Sequence, residues 1–319
     1  SAKFPLLTPR GKRGLVSTLT APNGIGAGDK LYSVAGTSFV YDGTAQGTVA
    51  DSDKTFAEMG AWIIILPDKK YYNKVTDVFG DLTATWSGAS LTFQDGYLYE
   101  EAAAANTIYD ATVDWTALFS VGDAVTITGC TTHTENNKTP IIRAFSTDKH
   151  SMYFSENVFT LTTEATPYSE TGTLGIARTI PDMDYICVNE NRLWGCKGDT
   201  IYASKLGDPF NFNVFDGLDT DAWSVSAGSP GSFTGCTAYA SFPVFFKEEL
   251  VFKIFGSVPS NFELTPSARL GVASGASRSL AVAGETLFYL SRVGIVAYSG
   301  GMPSPLNEAF GAVNYSSAV

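Results

Sequence analysis

A strand–turn–strand unit recurs along this chain, and it limits the possible folds more than any other feature. Its clearest copy begins at Tyr185. Tyr185 to Val188 is a short apolar run, broken by Asn189-Glu190-Asn191. Arg192 to Cys196 reads as a strand, and Lys197-Gly198-Asp199 as a tight turn, with glycine for the positive φ that such turns need. Thr200 to Ser204 returns, and Gly207-Asp208-Pro209 closes the unit because proline ends further pairing.

Four further hairpins share this texture. Lys30–Val34 and Ser38–Tyr41 flank Ala35-Gly36-Thr37, and Ala61–Leu66 and Lys70–Tyr72 flank Pro67-Asp68-Lys69. Phe242–Phe246 and Leu250–Phe255 flank Lys247-Glu248-Glu249, and Thr286–Leu290 and Ile295–Ser299 flank Ser291 to Gly294. All are rich in β-branched and aromatic residues bounded by turn formers. The turn centres near residues 198, 248 and 292 are 50 and 44 residues apart. A propeller blade repeats at about 40–50 residues, and each blade buries its faces against its neighbours. A β-sandwich spaces its strands more closely. The predicted fold is all-β, a β-propeller-like array of hairpin-bearing blades.

The rhythm breaks between the turns near 68 and 198. Strand candidates there are dense: Leu82–Trp86, Leu91–Phe93, a segment within Phe119–Cys130, Lys138–Phe145, His150–Glu156, Val158–Thr162 and Thr173–Arg178. Glu100 to Ala105 and Val113 to Leu118 read as short helical turns. This spacing predicts an inserted small β-barrel at about 115–178. The expected divisions are an extended basic arm at 1–14, first blades at 15–75, the inserted β region at 76–180, and further blades at 181–319.

Charge narrows the function classes. The 319 residues are 44% hydrophobic but only 17% charged, a lean surface of the kind that assemblies cover. The net charge of −11 disfavours sequence-independent nucleic-acid binding by the body. Basic residues crowd the start, where Lys3, Arg10, Lys12 and Arg13 stand among prolines. This segment reads as a solvated arm or, functionally, as one that docks on an acidic face of a neighbouring subunit. No apolar run approaches 18 residues, so a soluble, non-membrane protein is expected.

Chemical templates are sparse. Cys130, Cys187, Cys196 and Cys236 show no CxxC spacing, and His133 and His150 are the two histidines, so no metal site is assigned. Buried reduced thiols are the first reading, with a Cys187–Cys196 cross-hairpin disulfide as the second. Asp182, Asp184 and the Asp216, Asp219 and Asp221 cluster read as turn formers, with Ca²⁺ binding or acid/base work as the alternatives. No Gly-x-Ser-x-Gly elbow occurs, and Gly24 to Lys30 (GIGAGDK) precedes a strand, so it reads as a flexible loop instead of a phosphate cradle. The five tryptophans read mainly as blade packing, with a sugar-stacking surface as the alternative. No catalytic residue and no cofactor is assigned.

The ordered set Asn191-Arg192-Leu193, Ile201 to Ser204 and Gly207 to Phe212 resembles a recurrent segment of bacteriophage and prophage tail structural proteins. Gly284 to Gly301, with Pro259–Ser267 and Leu270–Gly275 before it, resembles the blade that follows in those proteins. The resemblance covers residues 181–311 well and the first 75 weakly. It implies a virion tail component of the nozzle, hub or tip, made in the host bacterial cytoplasm. It also implies a non-enzymatic role in a homo-oligomeric ring with other tail subunits, in possible contact with the DNA path. The alternative is a carbohydrate-binding or glycan-degrading propeller that recognises a host surface.

Overall fold

The computed structural model describes residue 14 and residues 18–95, 106–155, 157–161 and 167–306. Lys3, Arg10, Lys12 and Arg13 lie outside the described residues, as does the run 100–105. The chain divides into two compact units, Ser1–Lys54 and Thr55–Val319.

The first unit holds one antiparallel four-stranded meander: β1 (Pro22–Ala27), β2 (Leu31–Ala35), β3 (Ser38–Tyr41) and β4 (Thr44–Thr48). The glycine-rich stretch expected to be a flexible loop is corrected here, since Gly24 and Gly26 lie within β1. Gly26 stands opposite Tyr32, and a Cβ on it would come within 2.2 Å of the Tyr32 ring. The glycine is there so that the aromatic ring can lie across the strand.

The second unit opens with the same meander: β5 (Thr55–Met59), β6 (Trp62–Leu66), β7 (Lys70–Asn73) and β8 (Val78–Asp81). An inserted sheet follows, built from β9 (Ala84–Asp95), β10 (Asn106–Tyr109), β11 (Thr126–Thr128), β12 (Ala144–Phe145), β13 (Ser151–Phe154) and β14 (Tyr168–Arg178). Three more meanders complete it: β15 (Tyr185–Asn189), β16 (Arg192–Lys197), β17 (Thr200–Ala203) and β18 (Trp223–Ser226); β19 (Gly235–Tyr239), β20 (Phe242–Phe246), β21 (Leu250–Phe255) and β22 (Glu263–Ala268); β23 (Ala281–Ala283), β24 (Thr286–Ser291), β25 (Gly294–Tyr298) and β26 (Ser304–Pro305).

Each hairpin legible in the sequence is the central pair of a four-stranded blade, so the fold is all-β and propeller-like. Blades of the second unit stack by their faces. Met59, Ile64 and Leu66 pack with Ile186, Leu193 and Phe212. Trp194, Cys196 and Ile201 pack with Phe245, Phe252 and Ile254. Val244, Phe246 and Val251 pack with Leu287, Tyr289 and Val296. The first strands lie side by side, β5 against β15 and β15 against β19, as in a radial array.

The inserted sheet has the order β11-β14-β9-β10-β13-β12 and its own core around Phe93, Trp115, Val125 and Phe154. It takes in β9, which begins before residue 115 and forms a long pair with β14. The expected small barrel is corrected: the ladder does not close between β11 and β12. One isolated bridge, Ala124–Ile141, and four backbone bonds link the segments at and before these edges: Gly122 N to Ile142 O (2.8 Å), Ile142 N to Asp123 O (2.9 Å), Val125 N to Pro140 O (2.9 Å) and Ile127 N to Lys138 O (2.8 Å). Pro140 has no N–H to return to Val125, so the seam lacks a ladder bond there.

Candidate functional site

The exit segment of β17, residues 204–222, meets the inserted sheet at a buried polar node. Asp208-Pro209 starts a turn in which Asp208 Oδ1 accepts from the Phe210 N–H at 2.9 Å. That turn aims Asn211 inward. Its Nδ2 donates to Asp208 Oδ2 (2.8 Å) and to Asp123 Oδ1 (2.9 Å), and its Oδ1 accepts from the Ala124 N–H (3.1 Å). Asp123 Oδ2 accepts from Arg178 Nη1 at 2.6 Å and from the Ser120 N–H at 2.9 Å. Arg178 also lies over the Phe210 ring at 5.2 Å. A buried carboxylate is tolerated here because it has a cation and several hydrogen-bond donors.

A second polar centre holds the other end of the segment. Arg192, almost fully buried, donates through Nη1 to Ser204 O (2.9 Å) and through Nη2 to Asp219 O (2.7 Å), with Asp221 O also accepting from Nη1. Burial pulls its pKa down, and the Asp221 charge opposes that. Asp221 Oδ2 accepts from the N–H groups of Gly217 (2.7 Å) and Leu218 (3.0 Å). The loop is thus wound around one guanidinium.

A cleft of about 580 Å³ opens on the surface beside the node, between 138–143 of the inserted sheet and 213–216 of the exit segment. Arg143 Nη2 and Asp216 Oδ2 pair across it at 2.6 Å. Arg143 Nε donates to Ser155 Oγ at 3.2 Å. Phe215, in the wall, is 60% exposed. Asp216 is the one carboxylate among the described residues lining the cleft.

The other residues singled out in the sequence go elsewhere. Asp182 is exposed and pairs with Lys69 at 2.7 Å. His150 Nδ1 is 2.8 Å from Val113 O, and His133 stands edge-on to Tyr168. All four cysteines are buried and free. Cys187 faces Trp194 and Cys196 faces Tyr185 in the β15–β16 register, so the cross-hairpin disulfide is not formed. Cys236 of the next blade packs with both in one core, and contact with it together with burial pushes the Cys187 thiol up. Sequence reasoning missed Arg143, Asp123 and Arg178, which carry no local motif; the fold sets Arg178 against Asp123 and Arg143 against Asp216.

No protein-family model matches this chain, and no curated protein matches it. Among solved structures, a phage phi92 endosialidase is similar with a TM-score of 0.22 and 13% identity, over 85% of this chain and 51% of that one. The chain thus spans about half the length of that structure.

Proposed function

We propose that the chain is a non-enzymatic structural component of a bacteriophage tail, at the nozzle, hub or tip, acting through assembly with other tail subunits in a homo-oligomeric ring. One observation carries this reading. The residues on which the resemblance rests are used to build, not to react. Arg192 winds the exit loop, Ser204 accepts from the Leu193 N–H at 3.0 Å, and Asp208 and Asn211 fasten the inserted sheet to a blade. These groups are consumed by buried hydrogen bonds, which is how a chain holds a fixed shape for neighbours to dock on.

The protein is then made in the bacterial cytoplasm and resides in the virion tail. The basic arm, Lys3 to Arg13, docks on an acidic face of the next subunit. Immunogold labelling with antibodies to the purified chain tests the location. Gold over the tails of particles that encode it is the expected result, and unlabelled particles reject the reading. A second reading, carbohydrate binding, is favoured by the cleft with exposed Phe215. Among the described residues its lining holds one carboxylate, which supports binding over hydrolysis, since glycosidases place a pair of carboxylates about 5–9.5 Å apart.

A further inference from the structure

We propose that the cleft between the inserted sheet and the exit segment of β17 binds a neutral saccharide. The proposal deepens the carbohydrate-binding reading and stands apart from the assembly role. The cleft volume, about 580 Å³, falls in the range of small-molecule sites, roughly 300–1,000 Å³.

Its lining matches the two faces of a sugar. Phe215 is 60% exposed and offers a flat apolar surface, which suits the C–H face of a pyranose ring. Next to it the Arg143–Asp216 pair sets donor N–H groups beside an acceptor carboxylate, the pattern that adjacent hydroxyls complement. Among the described residues, Arg143 Nη1 and Asp216 Oδ1 have no other partner, so each keeps hydrogen-bonding capacity for a ligand. Asn213 and Thr139 add an amide and a hydroxyl to the wall.

The pair bears on the charge of the ligand. Lys138, the third charged residue of the lining, has its ammonium engaged by the Val158 carbonyl at 2.5 Å, and acidic comparators read out whether it still draws an anion. Arg143 is neutralised by Asp216, so an acidic sugar would have to displace a carboxylate held at 2.6 Å, and a cationic one would have to displace the guanidinium. A neutral ligand does neither.

Both walls are held before any ligand arrives. The Arg143 N–H donates to Tyr153 O at 2.7 Å, and the turn after Asp216 is held by Asp221. A preformed site loses little entropy on binding.

The test titrates the full chain by calorimetry against neutral oligosaccharides of bacterial surface polysaccharides and the pentaoses of glucose, galactose and mannose. An oligosialic acid and an oligogalacturonate serve as acidic comparators. Saturable binding of a neutral probe is expected, weakened about tenfold or more by Phe215→Ala and by Arg143→Ala. Phe215 is exposed, so its variant should keep the wild-type melting curve, and a lost fold cannot mimic a lost site. Three results overturn the proposal: no saturable binding of any neutral probe up to about 5 mM, binding of the acidic comparators alone, or neutral binding that Phe215→Ala leaves unchanged. Particle labelling is read separately, so failure here leaves the tail assignment standing.

Discussion

At the scale of single residues, buried charge is placed where many donors converge. Glu170, fully buried in β14, accepts from the N–H and hydroxyl of both Thr131 and Thr132 at 3.0 Å and also from the His133 N–H. Burial pushes its carboxyl up, but the hydrogen bonds from Thr132 and Thr131 outweigh that and hold it down at about 2, against an ordinary 4.5. A depressed folded-state pKa adds stability above the unfolded value, and that stability is lost as pH falls from about 4.5 towards 2. Glu170→Gln is therefore expected to cost about 3 kcal/mol at pH 7, with the gap from wild type closing as pH approaches 2. Urea unfolding of both proteins across that range checks it, and a gap independent of pH would contradict it. Arg192 shows the same logic with the sign reversed, a cation solvated by backbone carbonyls. Arg192→Met leaves those acceptors without a donor and should destabilise by about 3 kcal/mol or more in the same assay.

At the scale of elements, the blades are joined internally by two-residue hairpins. Met59 faces Trp62, Asn189 faces Arg192, Tyr239 faces Phe242 and Ala283 faces Thr286 across the first turn of successive blades. Such turns need left-handed backbone, which Gly60 and Gly284 supply freely. Ala240 (φ 50°) and Ser241 (φ 65°) adopt it with side chains attached, at a cost of about 1–2 kcal/mol per residue. Ala240→Asn with Ser241→Gly should raise unfolding stability by about 1–2 kcal/mol. An unchanged denaturation midpoint would show that the rest of the blade compensates. The central strands were legible in the sequence because they are buried: Ile63 to Leu66 and Val244 to Phe246 are continuous apolar runs. The outer strands were not. Thr44–Thr48 and Trp223–Ser226 are exposed or half-exposed throughout, so nothing in their composition separates them from loops.

At the scale of the whole molecule, the junction decides how the insertion is carried. Asn211→Ala removes three side-chain hydrogen bonds and leaves Asp123 short of a donor. A loss of about 2–4 kcal/mol is expected. Hydrogen exchange should quicken at 122–128 while the β19–β22 blade stays protected, and equal quickening in both would mean that the node stabilises the molecule without being a local fastening. The net charge of −11 gives a further prediction. The body lacking residues 1–14 should show no affinity for duplex DNA at physiological salt in a gel-shift titration, because few phosphates would find cationic partners. Micromolar binding would count against it.

Apolar runs and turn chemistry were enough to set the all-β class and the five central hairpins, because those properties are local. A buried strand must be apolar, and a tight turn must admit positive φ. The buried node and the cleft were decided by contacts between residues distant in sequence. Arg143 and Asp216 are 73 positions apart, and Asp123 and Asn211 are 88 apart. An arginine or aspartate on a polar stretch carries no local mark of its partner. Only the docking of the inserted sheet on the exit of β17 turned those side chains into a node and a cleft.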